Sequence, residues 1–150
     1  MDNHDAERFA AARVARLATV GSDGAPHLVP ITFALVGDVI YSAVDAKPKR
    51  HSRLRRLANV AYEPRVSVLV DRYDDDWTAL WWVRADGVAR VLALSPAALE
   101  ALTTKYPQYR ADPPPGPFLE IEVRRWSAWS ATPATETDVA GPSDPRGWSA

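Results

Sequence analysis

Between residues 47 and 56 the chain gathers Lys47, Lys49, Arg50, His51, Arg53, Arg55 and Arg56, although the formal net charge of the whole protein is only -1. The run follows an apolar, strand-like segment, Val39 to Val44. It continues into a helical pattern in which Leu54, Leu57, Ala58 and Ala61 are spaced to share one face. Cations in the first turns of a helix oppose its macrodipole, at a cost of roughly 0.3–1 kcal/mol each. A bound anion reverses that sign, and the free N–H groups of the first turn would point at it. The pattern therefore suits capture of a phosphate on a small ligand. With Pro48 at the first helical position, Arg50 continues the apolar line one turn early and points toward the sheet, as a bidentate phosphate donor beside Lys49. Arg53 and Arg56 fall on the flank, and Arg55 is solvated. A solvated helix face is the plain alternative.

Two further groups have the chemistry of a ligand wall. Trp77 stands near Trp81 and Trp82, and adjacent residues of a strand face opposite sides. One tryptophan can pack in the core while the other stacks on a planar ligand or a partner subunit, or both can pack. Pro30 interrupts the strand Leu28-Val29-Pro30-Ile31-Thr32-Phe33. A proline donates nothing to a ladder, so it marks an edge or bulge, and the N–H groups of Ile31 and Thr32 are candidates for ligand contacts. An ordinary edge proline explains it equally well. His4, His27 and His51 lack ligand spacing, so no metal site is expected. Asp74-Asp75-Asp76 reads as a solvated loop without the calcium-loop pattern. There is no GxGxxG, P-loop or GxSxG. Binding groups without an obvious acid, base or nucleophile are what a protein offers when a cofactor carries the reaction.

The elements that position these groups are mostly strands. Residues 5–15 read as a helix, 17–20 as a strand, and 22–26 as a turn around Gly24. A second strand, 27–35, completes a hairpin, and a third covers 39–44. The basic helix spans 49–61 and stops before Pro64. Val66–Val70 is β-branched and extended. A long strand over 79–93 carries a turn or bulge at Asp86-Gly87. Ser95 caps a helix begun by Pro96 and ending near Tyr106-Pro107. Phe118–Val123 alternates as a half-buried strand. Six short strands and a few helices make a mainly β chain, a small antiparallel barrel. Residues 1–132 form this domain, and the polar, Pro/Gly/Ser/Thr-rich residues 133–150 form a loose tail.

At 150 residues the chain fits one domain, able to bury roughly two-thirds of its unfolded surface. The absence of cysteine excludes disulfides, thiolate metal sites and thiol nucleophiles. The polar, acidic first residues do not read as a signal peptide. No apolar run approaches the roughly 20 residues that span a bilayer. A cytoplasmic protein without membrane partners is expected, and the near-neutral charge argues against a nucleic-acid binder.

Arg16 to Pro30, Lys47-Pro48-Lys49-Arg50 and Pro64 to Asp71 resemble the pyridoxamine 5'-phosphate oxidase-like, flavin-binding split-barrel family. Asp74-Asp75-Asp76-Trp77 with Leu80 to Gly87 resembles its actinobacterial branch dependent on the deazaflavin F420. The likeness covers about residues 7–131. It implies a six-stranded antiparallel split barrel and a homodimer with cofactor sites at the interface. It further implies that Val29, Pro30, Ile31 and Thr32 line the ring, that Ser42 and Ala43 contact ring or ribityl chain, and that Lys49 and Arg50 hold the phosphate. Ser52 and Arg53 fall where further phosphate or tail contacts occur, and Trp77 or Trp82 walls the pocket. The C-terminal ending does not match the substrate-phosphate residues of the vitamin B6 oxidases, which argues against that chemistry.

The expected function is an F420-dependent oxidoreductase passing a hydride between the deazaflavin and a small conjugated or unsaturated substrate, with its catalytic residues unassigned. The cations beyond one phosphate's need suit the carboxylates of the F420 tail. An FMN-dependent oxidoreductase of the same fold, a non-catalytic F420 carrier, and a barrel binding single-stranded nucleic acid through its basic helix and tryptophans are the alternatives.

Overall fold

The computed structural model describes residues 1–44 and 50–132, apart from the side chains of residues 50–54. In chain order the elements are α1 (Asn3–Ala11), β1 (Ala15–Val20), β2 (Pro26–Ile31), β3 (Ala34–Val36), β4 (Val39–Ala43), α2 (Arg50–Tyr62), β5 (Arg65–Arg72), a short 3-10 turn (Trp77–Ala79), β6 (Trp81–Leu92), α3 (Pro96–Lys105), α4 (Pro107–Ala111) and β7 (Phe118–Ser130). The seven strands form one antiparallel sheet in the order β2-β1-β5-β6-β7-β4-β3.

That order fixes the shape. β2 and β3 are the two ends of the sheet, yet only Thr32 and Phe33 separate them along the chain. A flat seven-stranded sheet would hold its edges roughly 28 Å apart, at about 4.8 Å per strand. Three residue steps reach only about 10 Å. The sheet must curl until its edges meet at the Thr32-Phe33 corner, which makes a split barrel. The expectation of six strands is corrected here. Residues 27–35 do not run as one strand, because at this corner the chain leaves its partner β1 and takes up β4. Pro30 lies on an edge strand, as expected for a residue without an N–H.

Inward-facing residues alternate along the strands and fill the barrel. Leu17, Ile40, Val68, Val83, Leu119 and Ile121 are fully buried, each worth about 1.5–3 kcal/mol of transfer free energy. Phe9 of α1 plugs this core, meeting the rings of Phe33 and Trp126 edge-on at 5.1 and 5.0 Å. α3 buries Ala98 and Leu102 in a second cluster with Tyr41 and Phe118. Its cap forms as expected, the Ala98 N–H donating to Ser95 Oγ at 3.1 Å.

Three local expectations shift. α1 ends at Ala11 instead of residue 15, because Ala15, Leu17 and Thr19 are needed as the inward side of β1. α2 does not bury Ala58 and Ala61, which are exposed. It turns Val60 and Asn59 inward, with Leu57 packed against the core. The polar Asn59 is tolerated there because its Nδ2 donates to Thr19 Oγ1 at 3.0 Å. β7 continues to Ser130, where alternation had marked only residues 118–123. The bulge at Asp86/Gly87 is present, and a Cβ at Gly87 would collide with the Glu122 carbonyl. Among the described residues no helix is long and apolar enough to cross a membrane. Residues 133–150, read as a loose tail, lie outside the described residues.

Candidate functional site

The barrel's closing corner needs partners for backbone groups that no ladder serves. The buried hydroxyl of Tyr106, at the end of α3, supplies them. It accepts from the Phe33 N–H at 3.1 Å and has the carbonyls of Phe33 and Arg13 within donor range, both at 3.0 Å. Ser42 Oγ donates to the Thr32 carbonyl at 2.7 Å, and Thr32 Oγ1 lies 2.7 Å from the Tyr109 hydroxyl of α4. Thr32 is thereby held at its carbonyl and at its side-chain hydroxyl. Burial raises the Tyr106 phenol above its ordinary pKa, opposed by its bond to Phe33.

Beside this corner opens a cavity of about 690 Å³, walled by Thr32, Tyr106, Tyr109, Arg13 and the proline run 113–115. That volume lies in the range of small-molecule sites. Arg13 Nη1 donates to the Lys105 carbonyl at 3.0 Å. Lys105 Nζ donates to the Ala12 carbonyl at 2.6 Å and lies 3.8 Å from the centre of the Phe33 ring. Burial first, and then the charge of Arg13, push the Lys105 amine down to about 8.

The sequence-predicted residues divide. Thr32 lines the cavity. Pro30 is exposed on the barrel edge, Val29 is half-buried against the core, and Ile31 is buried within it. Ser42 and Ala43 are buried on β4, and Ser42 serves the corner through its bond to Thr32. Lys49 lies outside the described residues, and so do the side chains of Arg50, Ser52 and Arg53. Their place along the chain is clear nonetheless: β4 ends at Ala43, Val44 donates its N–H to the Pro117 carbonyl at 2.9 Å, and α2 begins at Arg50. Trp77 is 73% exposed on the 3-10 turn. Trp82 sits half-buried on the sheet's outer face, opposite Trp129 and Asp71, while Trp81 packs against the core. Neither Trp77 nor Trp82 lines the cavity beside Thr32. Sequence reasoning missed Arg13, Tyr106 and Tyr109, since a hydroxyl that bonds 73 positions away leaves no local pattern.

Of the described α2 side chains, Arg55 is exposed and Arg56 half-buried, its Nε shielded from solvent without a hydrogen-bond partner. Burial lowers the Arg56 pKa. Burial, and then the charges of Arg55 and Arg56, hold His27 below the ordinary imidazole range. No acidic residue stands in the first turn of α2 to neutralise it. Among the described residues no group of His, Asp or Glu is arranged to hold a metal ion.

Solved structures share this architecture. A conserved hypothetical protein of Mycobacterium tuberculosis aligns with 94% of this chain and 93% of its own, at 25% identity and a TM-score of 0.68. A FAD-binding protein of Mesorhizobium loti aligns over 83% and 91%, at 23% identity and 0.62. A heme-binding protein of Mycobacterium smegmatis aligns over 83% of this chain and 55% of its own, at 20% identity and 0.59. No curated protein sequence matches the chain. The family described as pyridoxamine 5'-phosphate oxidase matches residues 1–130. With that match running from α1 to the end of β7, the chain belongs to the pyridoxamine 5'-phosphate oxidase family.

Proposed function

We propose that the protein binds a flavin-type cofactor and is an oxidoreductase, with F420 as the cofactor and a small conjugated molecule as the substrate. The observation that carries this is the closing corner. Thr32, fixed by Ser42 and Tyr109, lines a cavity of small-molecule size, and α2 with its cationic start is the next element along the chain after the β4 strand bearing Ser42. The residues present fit the group. The first turn of α2 holds no acid, and Arg56 has an unpartnered Nε, so the helix is electrostatically open to an anionic substituent. The family and the FAD-binding relative from Mesorhizobium loti support a flavin-type ligand.

In this reading Lys49, Arg50, Ser52 and Arg53 hold the phosphate and acidic tail. Val29 to Thr32, with Ala43, shape the wall for the ring, and Ser42 acts by locking the Thr32 carbonyl. When bound, the cofactor supplies the hydride. The chain contributes placement, which converts an encounter into an oriented reaction. Trp77 is exposed on its own protomer, and in this reading it reaches the site of a second copy, in a homodimer with its cofactor sites at the interface.

Titration of the purified protein with F420 and with FMN tests this. F420 is expected to bind more tightly. Arg50→Ala should weaken it by about 1.5–3 kcal/mol, the worth of a charged hydrogen bond, and Arg55→Ala should change little. Uptake of FMN alone moves the assignment to the FMN-dependent alternative. Binding of F420 with no turnover of the reduced cofactor on any enone leaves a carrier. Uptake of neither cofactor refutes the proposal.

A further inference from the structure

Two cations stand beside the Thr32 corner without a carboxylate partner among the described residues, a state they share with Arg110, which donates to the Thr103 and Thr104 carbonyls. Arg16, Arg65, Arg72, Arg84, Arg90 and Arg124 each pair with a carboxylate. Arg13 and Lys105 pair with none among the described residues. They are bonded only to backbone carbonyls, of Lys105 and Ala12, and they lean on the rings of Tyr106 and Phe33. Their mutual repulsion is uncompensated, and it contributes to the lowered Lys105 pKa. An arginine presents five N–H donors, and Arg13 commits one of them, Nη1, to a side-chain hydrogen bond. Arg13 is among the residues lining the cavity, with its guanidinium carbon 5.8 Å from the centre of the Tyr106 ring, and Tyr109 and the proline run 113–115 line the same cavity.

A cavity lined by two tyrosines, three consecutive prolines and an arginine is selective. Conjugated rings pack well on aromatic side chains. A planar carboxylate is the group that a guanidinium fork matches with two parallel hydrogen bonds. Asp112, on the same wall, makes no ion pair with Arg13, so it leaves the fork free. It also disfavours a ligand with negative charge at both ends.

We infer that this cavity is a subsite for a planar, conjugated monocarboxylate, held by Arg13 at its carboxylate and by Tyr106, Tyr109 and the prolines along its ring. Thr32 belongs both to this wall and to the segment Val29–Thr32 assigned to the cofactor ring. The role of that ligand as substrate therefore rests on the proposed function, whereas its binding does not.

The test compares cinnamate with cinnamamide, which has the same shape without the charge, by calorimetry on the full chain without added cofactor. Cinnamate is expected to bind at least about tenfold more tightly, a difference of about 1.4 kcal/mol. Arg13→Gln should abolish that preference, and Arg13→Lys should keep part of it. Asp112→Asn should tighten cinnamate only. Thermal melts establish that each variant is folded, and Arg13→Lys decides the matter if Arg13→Gln is not. Equal binding of acid and amide, an undiminished preference in Arg13→Gln, or no binding of cinnamate at millimolar concentration would each overturn the inference. Separate F420 and cinnamate titrations of the wild-type protein distinguish the two proposals. Cofactor uptake without cinnamate binding removes the subsite alone, and cinnamate binding without cofactor uptake removes the proposed function alone.

Discussion

Replacing Tyr106 with phenylalanine isolates the device that closes the barrel. The ring stays in its buried place among Ala98, Leu102 and Phe118, so apolar packing is preserved. Only the hydroxyl is lost, and with it the acceptor for the Phe33 N–H and the donor shared by the carbonyls of Phe33 and Arg13. A buried N–H left without a partner costs about 1–3 kcal/mol, and a lost neutral hydrogen bond to a carbonyl costs about 1 kcal/mol. The expected destabilisation is thus about 2–4 kcal/mol. In a domain of this size each kcal/mol lowers Tm by about 3–4 °C, which gives a drop of roughly 6–16 °C. Thermal unfolding followed by circular dichroism reads this directly. Tyr109→Phe is the control, because its hydroxyl meets only Thr32, in a partly exposed bond that water can replace. The phenol adds a pH signature. Burial holds the folded Tyr106 pKa above its ordinary 10.0, so its stability contribution is complete below pH 10 and is lost as pH rises through the folded value. Tyr106→Phe should lack that alkaline decline. The reasoning fails if Tyr106→Phe melts with the wild type, or loses no more than Tyr109→Phe.

Lys105 titrates in the opposite sense. Its amine is held down to about 8 in the fold against 10.5 when free, so between those values the unfolded chain binds the extra proton and stability rises with pH. In denaturant melts at stepped pH, wild-type stability measured against Lys105→Met should climb across this interval and level off above it. The Gly21 and Asn59 pair gives a coupled test. A Cβ at Gly21 would lie 2.8 Å from Asn59 Oδ1, so Gly21→Ala should destabilise by about 1–3 kcal/mol through overcrowding. Asn59→Ala should cost a similar amount through the orphaned Thr19 hydroxyl. The double variant should lose clearly less than the sum in urea unfolding, because removing the amide relieves the collision.

The nature of the elements was written locally. Alternation along Phe118–Val123, the Ser95-Pro96 helix start, the turn at Gly24, and the Asp86-Gly87 bulge each follow from the conformational limits of a few neighbouring residues. So did the edge character of the Pro30 strand, since a missing N–H is a property of one residue. The cationic start of α2 was equally plain, because charge is read without a fold.

Other features were decided by contacts between distant parts of the chain. Nothing near Thr32 in sequence says that the strand must break there. The break exists because the two edges of a seven-stranded sheet meet around it, and Tyr106 and Tyr109 arrive from more than 70 positions away to satisfy its polar groups. The inward face of α2 was misjudged for the same reason. Periodicity ranks residues by hydrophobicity, whereas the structure buries Asn59 because Thr19 waits across the gap with a hydroxyl. Arg13 shows no local sign of function, and only the folded chain reveals that its guanidinium, unlike six others, meets no carboxylate. A sequence states which groups are present and what local shape they prefer. Which of them are left unpaired together is a property of the closed barrel, because pairing depends on distances that the chain acquires only on folding.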